Sequence, residues 1–219
     1  MRPIFFALVS LVALAGLFAL AGTAAWWNAW AFFAVLLFAG VLTARAFKQT
    51  PGLAAERRTA AAKAALWDRR LVHLLNLALP AMLLAAALDT RFRALPAVPA
   101  WLSAVALVLA LPAVWLTYRA MLCNAFFSSH VRIQADRGHT VVSAGPYAVV
   151  RHPGYTGSIA FNLLAPIILG SWAACAPALA AAALLVYRTG KEDRILQAEL
   201  PGYAAYTARV RARLLPSIW

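Results

Sequence analysis

Residues 101–121 read WLSAVALVLALPAVWLTYRAM, and the only formal charge in the run is Arg119 near its end. At about 1.5 Å per residue such a run makes a helix about 30 Å long, which matches the hydrocarbon thickness of a bilayer. The same reading applies to Ile4 to Gly22, Trp26 to Ala44 and Leu71 to Leu88, so four spanning helices are predicted. A longer apolar stretch, Tyr155 to Tyr187, is interrupted by Gly170, Ser171 and Pro177. That interruption predicts two antiparallel helices of about 24 Å each. The expected fold is therefore all-α: a polytopic integral membrane helical bundle of four spanning helices plus a C-terminal hydrophobic helical hairpin. Residues 1–122 hold the spans and a connection between them, and residues 123–219 hold a polar connection, the hairpin and a basic tail.

Composition agrees with this division. Of 219 residues, 64% are hydrophobic and 12% charged, too few polar groups to cover a water-facing surface. Cys123 and Cys175 both lie in apolar runs, which excludes a disulfide framework and a multi-cysteine metal site. The histidines His130, His139 and His152 follow no metal-ligand spacing, so no metal is expected. The net charge of +13 sits beside the spans, where anionic lipid head groups rather than nucleic acid are the expected partners. The first apolar stretch is too long for the core of a cleaved signal peptide and reads as a span. No glycine-rich loop follows a strand pattern, so a soluble dinucleotide-type domain is not expected.

Lys and Arg set the orientation. Arg45 to Arg70 carries seven, Arg119 to Arg151 four, the tail from Arg188 six and Arg2 one, leaving only Arg91 and Arg93 on the opposite side. Both termini and these two connections are expected in the cytosol. Leu53 to Trp67, Ala-rich with Arg57, Arg58 and Lys63, predicts an amphipathic helix along the head groups.

Two polar clusters stand out beside the membrane. The first is QADRGHTVVSAGPYAVVRHPGYTG, residues 134–157. Pro153 suits the first turn of a helix and places Arg151 and His152 at its entrance, where free N–H groups would suit a ligand carboxylate; the alternative is that both are snorkelling anchors. The second is RTGKEDRIL, residues 188–196. Its Arg188 and Glu192 share a helix face, as a pocket pair or as a surface ion pair of little consequence.

The spacing Gly145-Pro146-Tyr147, Arg151-His152-Pro153, Tyr155, Gly157 resembles the isoprenylcysteine carboxyl methyltransferase family, with its bacterial relatives and the phospholipid N-methyltransferases. Arg188, Glu192-Asp193, Leu196, Pro201-Gly202-Tyr203, Tyr206, Arg209-Val210 and Leu215-Pro216 extend the likeness over the last ninety or so residues, with Asp193 where a second glutamate is more usual. The resemblance implies an S-adenosylmethionine-binding methyltransferase region at 123–219. It implies cofactor contacts at Gln134, His139, Thr140, Val141, Val142, Tyr147, His152, Pro153, Gly154, Tyr155 and Glu192. It also implies Arg188 on the substrate side, with Arg188 and Glu192 as the catalytic pair. The expected substrate is lipophilic, a prenylated or lipid molecule, most simply methylated on a carboxylate, in a bacterial inner membrane. Phospholipid amine methylation, an NADPH-dependent reductase and a non-catalytic transporter are the other readings.

Overall fold

The structure is a computed structural model that describes residues 2–50, 52–93 and 95–219, with side chains described from Leu11 onward. Eight α-helices and no strand occur among these residues: α1 Arg2–Ala21, α2 Trp27–Gln49, α3 Leu53–Lys63, α4 Leu66–Phe92, α5 Ala100–Cys123, α6 Pro153–Ile168, α7 Cys175–Glu199 and α8 Tyr203–Arg209. Short 3-10 turns fall at Ala135–Arg137 and Gly145–Ala148. Among the described residues α2, α4 and α5 are long and apolar enough to cross a membrane. The side chains of Arg2 and Ile4, at the start of the first expected span, lie outside the described residues, and the described apolar part of α1 is Leu11–Ala21. Large side chains such as Leu37, Leu74, Trp101 and Val108 are exposed on the outer surface of these helices. A surface of that kind is stable against lipid and not against water, so this is an integral membrane protein.

The hairpin differs from its expected form. α6, with 16 residues, has the expected length of about 24 Å, but α7 has 25 residues and is about 38 Å long. The apolar pattern stops at Tyr187, whereas the helix runs on through three polar turns because Arg188, Thr189 and Asp193 find buried partners there. The amphipathic helix also ends at Lys63, short of Trp67, which lies in the first turn of α4 instead.

α5 is the centre of the bundle: it packs on α2 and on α6, α6 on α7, α7 on α4, and α4 on α1. The α5–α6 contact is close because residue 157 is glycine. A Cβ there would stand 2.5 Å from the Ala113 carbonyl oxygen and closer still to Thr117 Oγ1. With no hydrophobic drive between helices in lipid, such close contact is the main source of association. The last carbonyls of α6 are the second anchor. Ser103 Oγ donates to Ile167 O at 2.7 Å, Asn28 Nδ2 to Ile168 O at 2.8 Å and Trp26 Nε1 to Leu169 O at 3.1 Å. These bonds satisfy groups that a helix end leaves open, and they fix the turn between α6 and α7 against α2 and α5.

Candidate active site

The segment from Asn124 to His152 folds over the ends of α5, α6 and α7. Its turn at Gly145-Pro146 requires glycine, since φ is +59° and a Cβ would lie 2.7 Å from Cys123 Sγ. The turn delivers Tyr147 into the interior, where its hydroxyl accepts from Asn124 Nδ2 at 3.1 Å and its backbone oxygen accepts from the Tyr206 hydroxyl at 2.6 Å. Burial pushes the Tyr206 phenol up to about 12 and the Tyr147 phenol higher, so both remain protonated.

One cavity opens between this segment and α7, with about 840 Å³ of space between atoms when its mouth is counted. Every residue read above as a cofactor contact lines it except Pro153. His152 and Glu192, 40 positions apart in the chain, thus share one space. Glu192 Oε2 accepts the Tyr155 hydroxyl at 2.5 Å, and Oε1 accepts no hydrogen bond among the described residues. The His152 and Tyr155 rings stack at 5.8 Å. On the opposite wall the Gln134 N–H donates to His139 Nδ1 at 3.3 Å, which makes that nitrogen an acceptor and leaves Nε2–H as the donor. Burial lowers the His139 pKa, which favours this neutral form. Gln134 itself is fully buried, its Nε2 donating to Phe126 O at 2.7 Å while Arg137 donates to its Oε1.

The expected set of free N–H groups at the start of α6 is not there. The N–H groups of Arg151 and His152 donate to Ala212 O and Arg213 O in the tail, those of Tyr155 and Thr156 donate to His152 O, and Pro153 has none. Gly154 alone keeps an open donor in that turn among the described residues. The tail took the others because Arg151 Nη1 also binds Val210 O and Arg211 O, pulling the strand of tail beneath the Arg-His-Pro element.

Arg188 does not line the cavity, and it does not pair with Glu192. Its guanidinium, 6% exposed, donates to Asp68 Oδ1 at 2.8 Å and Ser129 O at 2.8 Å, and lies 5.4 Å over the Tyr155 ring. Asp68, wholly buried, also accepts the Val131 N–H at 2.9 Å. The local i,i+4 pairing loses to a partner 120 residues away because the buried carboxylate needs a cation more than an accessible one does.

Sequence reading missed this partner and two others. Asp193, also wholly buried, accepts from Arg151 Nε and Nη2 at 2.8 Å each, Arg213 Nε at 2.9 Å, Gln197 Nε2 at 2.8 Å and the Tyr203 hydroxyl at 3.1 Å, with His152 Nε2 at 3.2 Å. Burial opposes its ionisation, but bonds from His152, Arg151 and Arg213 together hold its carboxyl well below the usual range. Glu56 on α3 takes Arg132 bidentately at 2.8 and 2.6 Å, tying the connection helix to the cavity wall. The available signal was scarcity: seven acidic residues face twenty basic ones, so each acid beside an apolar face has a cation to bury.

The cavity of mixed polar and apolar lining, braced by buried ion pairs, lies at one end of a lipid-exposed helical bundle, the arrangement of a membrane protein with a candidate small-molecule site. Residues 103–198, from the first turn of α5 to the last of α7, match the isoprenylcysteine carboxyl methyltransferase family. A search of curated proteins found no match.

Proposed function

We propose that this protein transfers a methyl group from S-adenosylmethionine to the carboxylate of a lipophilic acceptor. The observation that carries the reading is the convergence of His139, His152, Tyr155 and the open Oε1 of Glu192 on one cavity inside the family-matched region. The cavity fits the donor in its aromatic walls and in the single carboxylate able to accept polar hydrogens. When bound, S-adenosylmethionine supplies an electrophilic methyl on a sulfonium.

The chain's own residues then have separable tasks. Glu192 accepts from the donor's amino or hydroxyl groups, held in position by Tyr155. Neutral His139 donates through Nε2. Arg188, anchored by Asp68 and with Nη1 donating to nothing among the described residues, orients the acidic group of the acceptor. No general base is needed for a carboxylate, so the protein contributes proximity and exclusion of water. In this reading residues 1–122 are the membrane part, with α1, α2, α4 and α5 as full spans. Residues 123–219 form the donor-binding part, with α6 and α7 as a hairpin. The membrane is a bacterial inner membrane, and the cavity and both termini face the cytosol, which the distribution of Lys and Arg supports.

Incubation of the purified protein with methyl-labelled S-adenosylmethionine and lipid extract tests the reading. A base-labile labelled ester that disappears with Glu192→Gln is expected. A base-stable labelled amine would move the activity to phospholipid amines, and no transfer to any lipid would overturn the proposal.

A further inference from the structure

Among the guanidiniums folded into the cytosolic end, Arg132, Arg151 and Arg188 each have a carboxylate, while Arg137, without one, donates to Gln134 Oε1 and Ala125 O. Arg57 on α3 has no carboxylate either. It is half-buried, donates no hydrogen bond among the described residues, and its Nε is enclosed without a partner. Its Cζ lies 5.3 Å from the Phe47 ring centre and 5.5 Å from that of Phe127. Two ring faces offset part of the cost of removing a cation from water, but they leave its in-plane N–H groups open.

A second observation lies one helical turn away. Between α2, α5 and α6 is a cavity of about 510 Å³, its mouth included, separate from the site above. Leu42, Val114, Met121 and Phe161 give it a mainly apolar lining, with Thr43, Thr117, Tyr118, Ser158 and Asn162 as its polar members. Thr43 and Phe47 are four residues apart on α2 and share its face, so the wall of this cavity continues directly to the ring that covers Arg57. Phe127 lines the methyl-donor cavity and contacts Arg57, standing between the two.

We propose that Arg57 and the α2–α5–α6 cavity form one binding site for an acidic amphiphile, with an anionic head group accepting from Arg57 and one hydrocarbon chain in the cavity. The occupant best matched to an unpaired cation at the end of a lipid-facing apolar cavity is an anionic phospholipid of the host membrane. The site does not depend on which acceptor is methylated, or on methyl transfer at all.

Native mass spectrometry of the full chain in detergent, with phosphatidylglycerol and phosphatidylcholine of equal chain length, tests it. Retention of phosphatidylglycerol by about tenfold over phosphatidylcholine is expected, the ratio of one charge-assisted contact. Arg57→Gln should abolish that preference and Arg57→Lys should keep part of it. Thr43→Phe should reduce retention of both lipids. Inorganic phosphate alone at equal concentration should displace neither, and displacement by it would reveal a free-anion site and overturn the amphiphile. Phosphatidylglycerol with a photoreactive chain should label α2, α5 and α6 of the wild-type protein, a result that stands even where a variant fails to fold. Labelling confined to other helices, or an undiminished preference in a folded Arg57→Gln protein, would overturn the site.

Discussion

Asp193→Asn removes one charge from the side chain with the most hydrogen-bond partners among the described residues while keeping its volume. The carboxylate is wholly buried, and Arg151, its bidentate partner, has a side chain only 5% exposed. An amide in its place presents a donor where Arg151 and Arg213 already donate, so a buried guanidinium is left without a counter-charge. Breaking a buried pair from one side costs about 3–5 kcal/mol, a large share of the roughly 5–15 kcal/mol that keeps a domain folded. The Arg213 bond adds little, because that side chain is 30% exposed and screened by water. Unfolding in detergent, followed by circular dichroism against denaturant, should therefore show a loss of about 3–5 kcal/mol. Adding Arg151→Met should recover at least about 2 kcal/mol, since the stranded charge is then gone. Acid should act like the substitution. The folded carboxyl ionises well below its usual 3.8, so its stabilisation is full above that value and is lost as pH falls towards the folded one. A D193N protein within about 1 kcal/mol of wild type, or a double variant no better than the single, would refute the account of this hub.

Gly157→Ala should lower unfolding stability by about 1–3 kcal/mol or prevent folding, measured in the same way, because its methyl group meets the Ala113 carbonyl and Thr117. Glu56→Gln should cost about 3 kcal/mol and speed hydrogen exchange across residues 128–137, since Arg132 loses its bidentate carboxylate and keeps the more exposed Asp136 as its one counter-charge among the described residues. Hydrogen-exchange protection of the Gln134 amide should hold above pH 6.5 and fall below it. There the lowered His139 pKa makes the neutral, accepting ring the stabilising form, and protonation removes the acceptor.

Hydropathy located α2, α4 and α5 because lipid imposes length and apolarity on each span independently. It misplaced their ends for the same reason. α2 continues five residues past Ala44 and α4 begins five before Leu71, with Arg45, Lys48 and Asp68 inside the helices, since backbone hydrogen bonding does not stop where hydropathy does. The spacing around Arg151, His152 and Tyr155 was legible because it is local, and its residues do meet in one cavity. The partners of Arg188 and Arg151 were not. Asp68 and Asp193 are separated from them by 120 and 42 positions, and only the packing of α4 and α6 against α7 brings them together. Helical spacing pointed instead to Glu192, which burial then reserved for Tyr155 and the open cavity.

Calorimetric titration of the detergent-purified protein with S-adenosylhomocysteine bears most directly on whether this cavity holds a methyl donor. Saturable one-to-one binding is predicted, weakened about tenfold by Glu192→Gln and by His139→Ala, each of which removes one contact at the wall. Binding of equal strength in all three proteins would place the donor elsewhere, and no heat in the wild type would contradict the cavity's assignment outright.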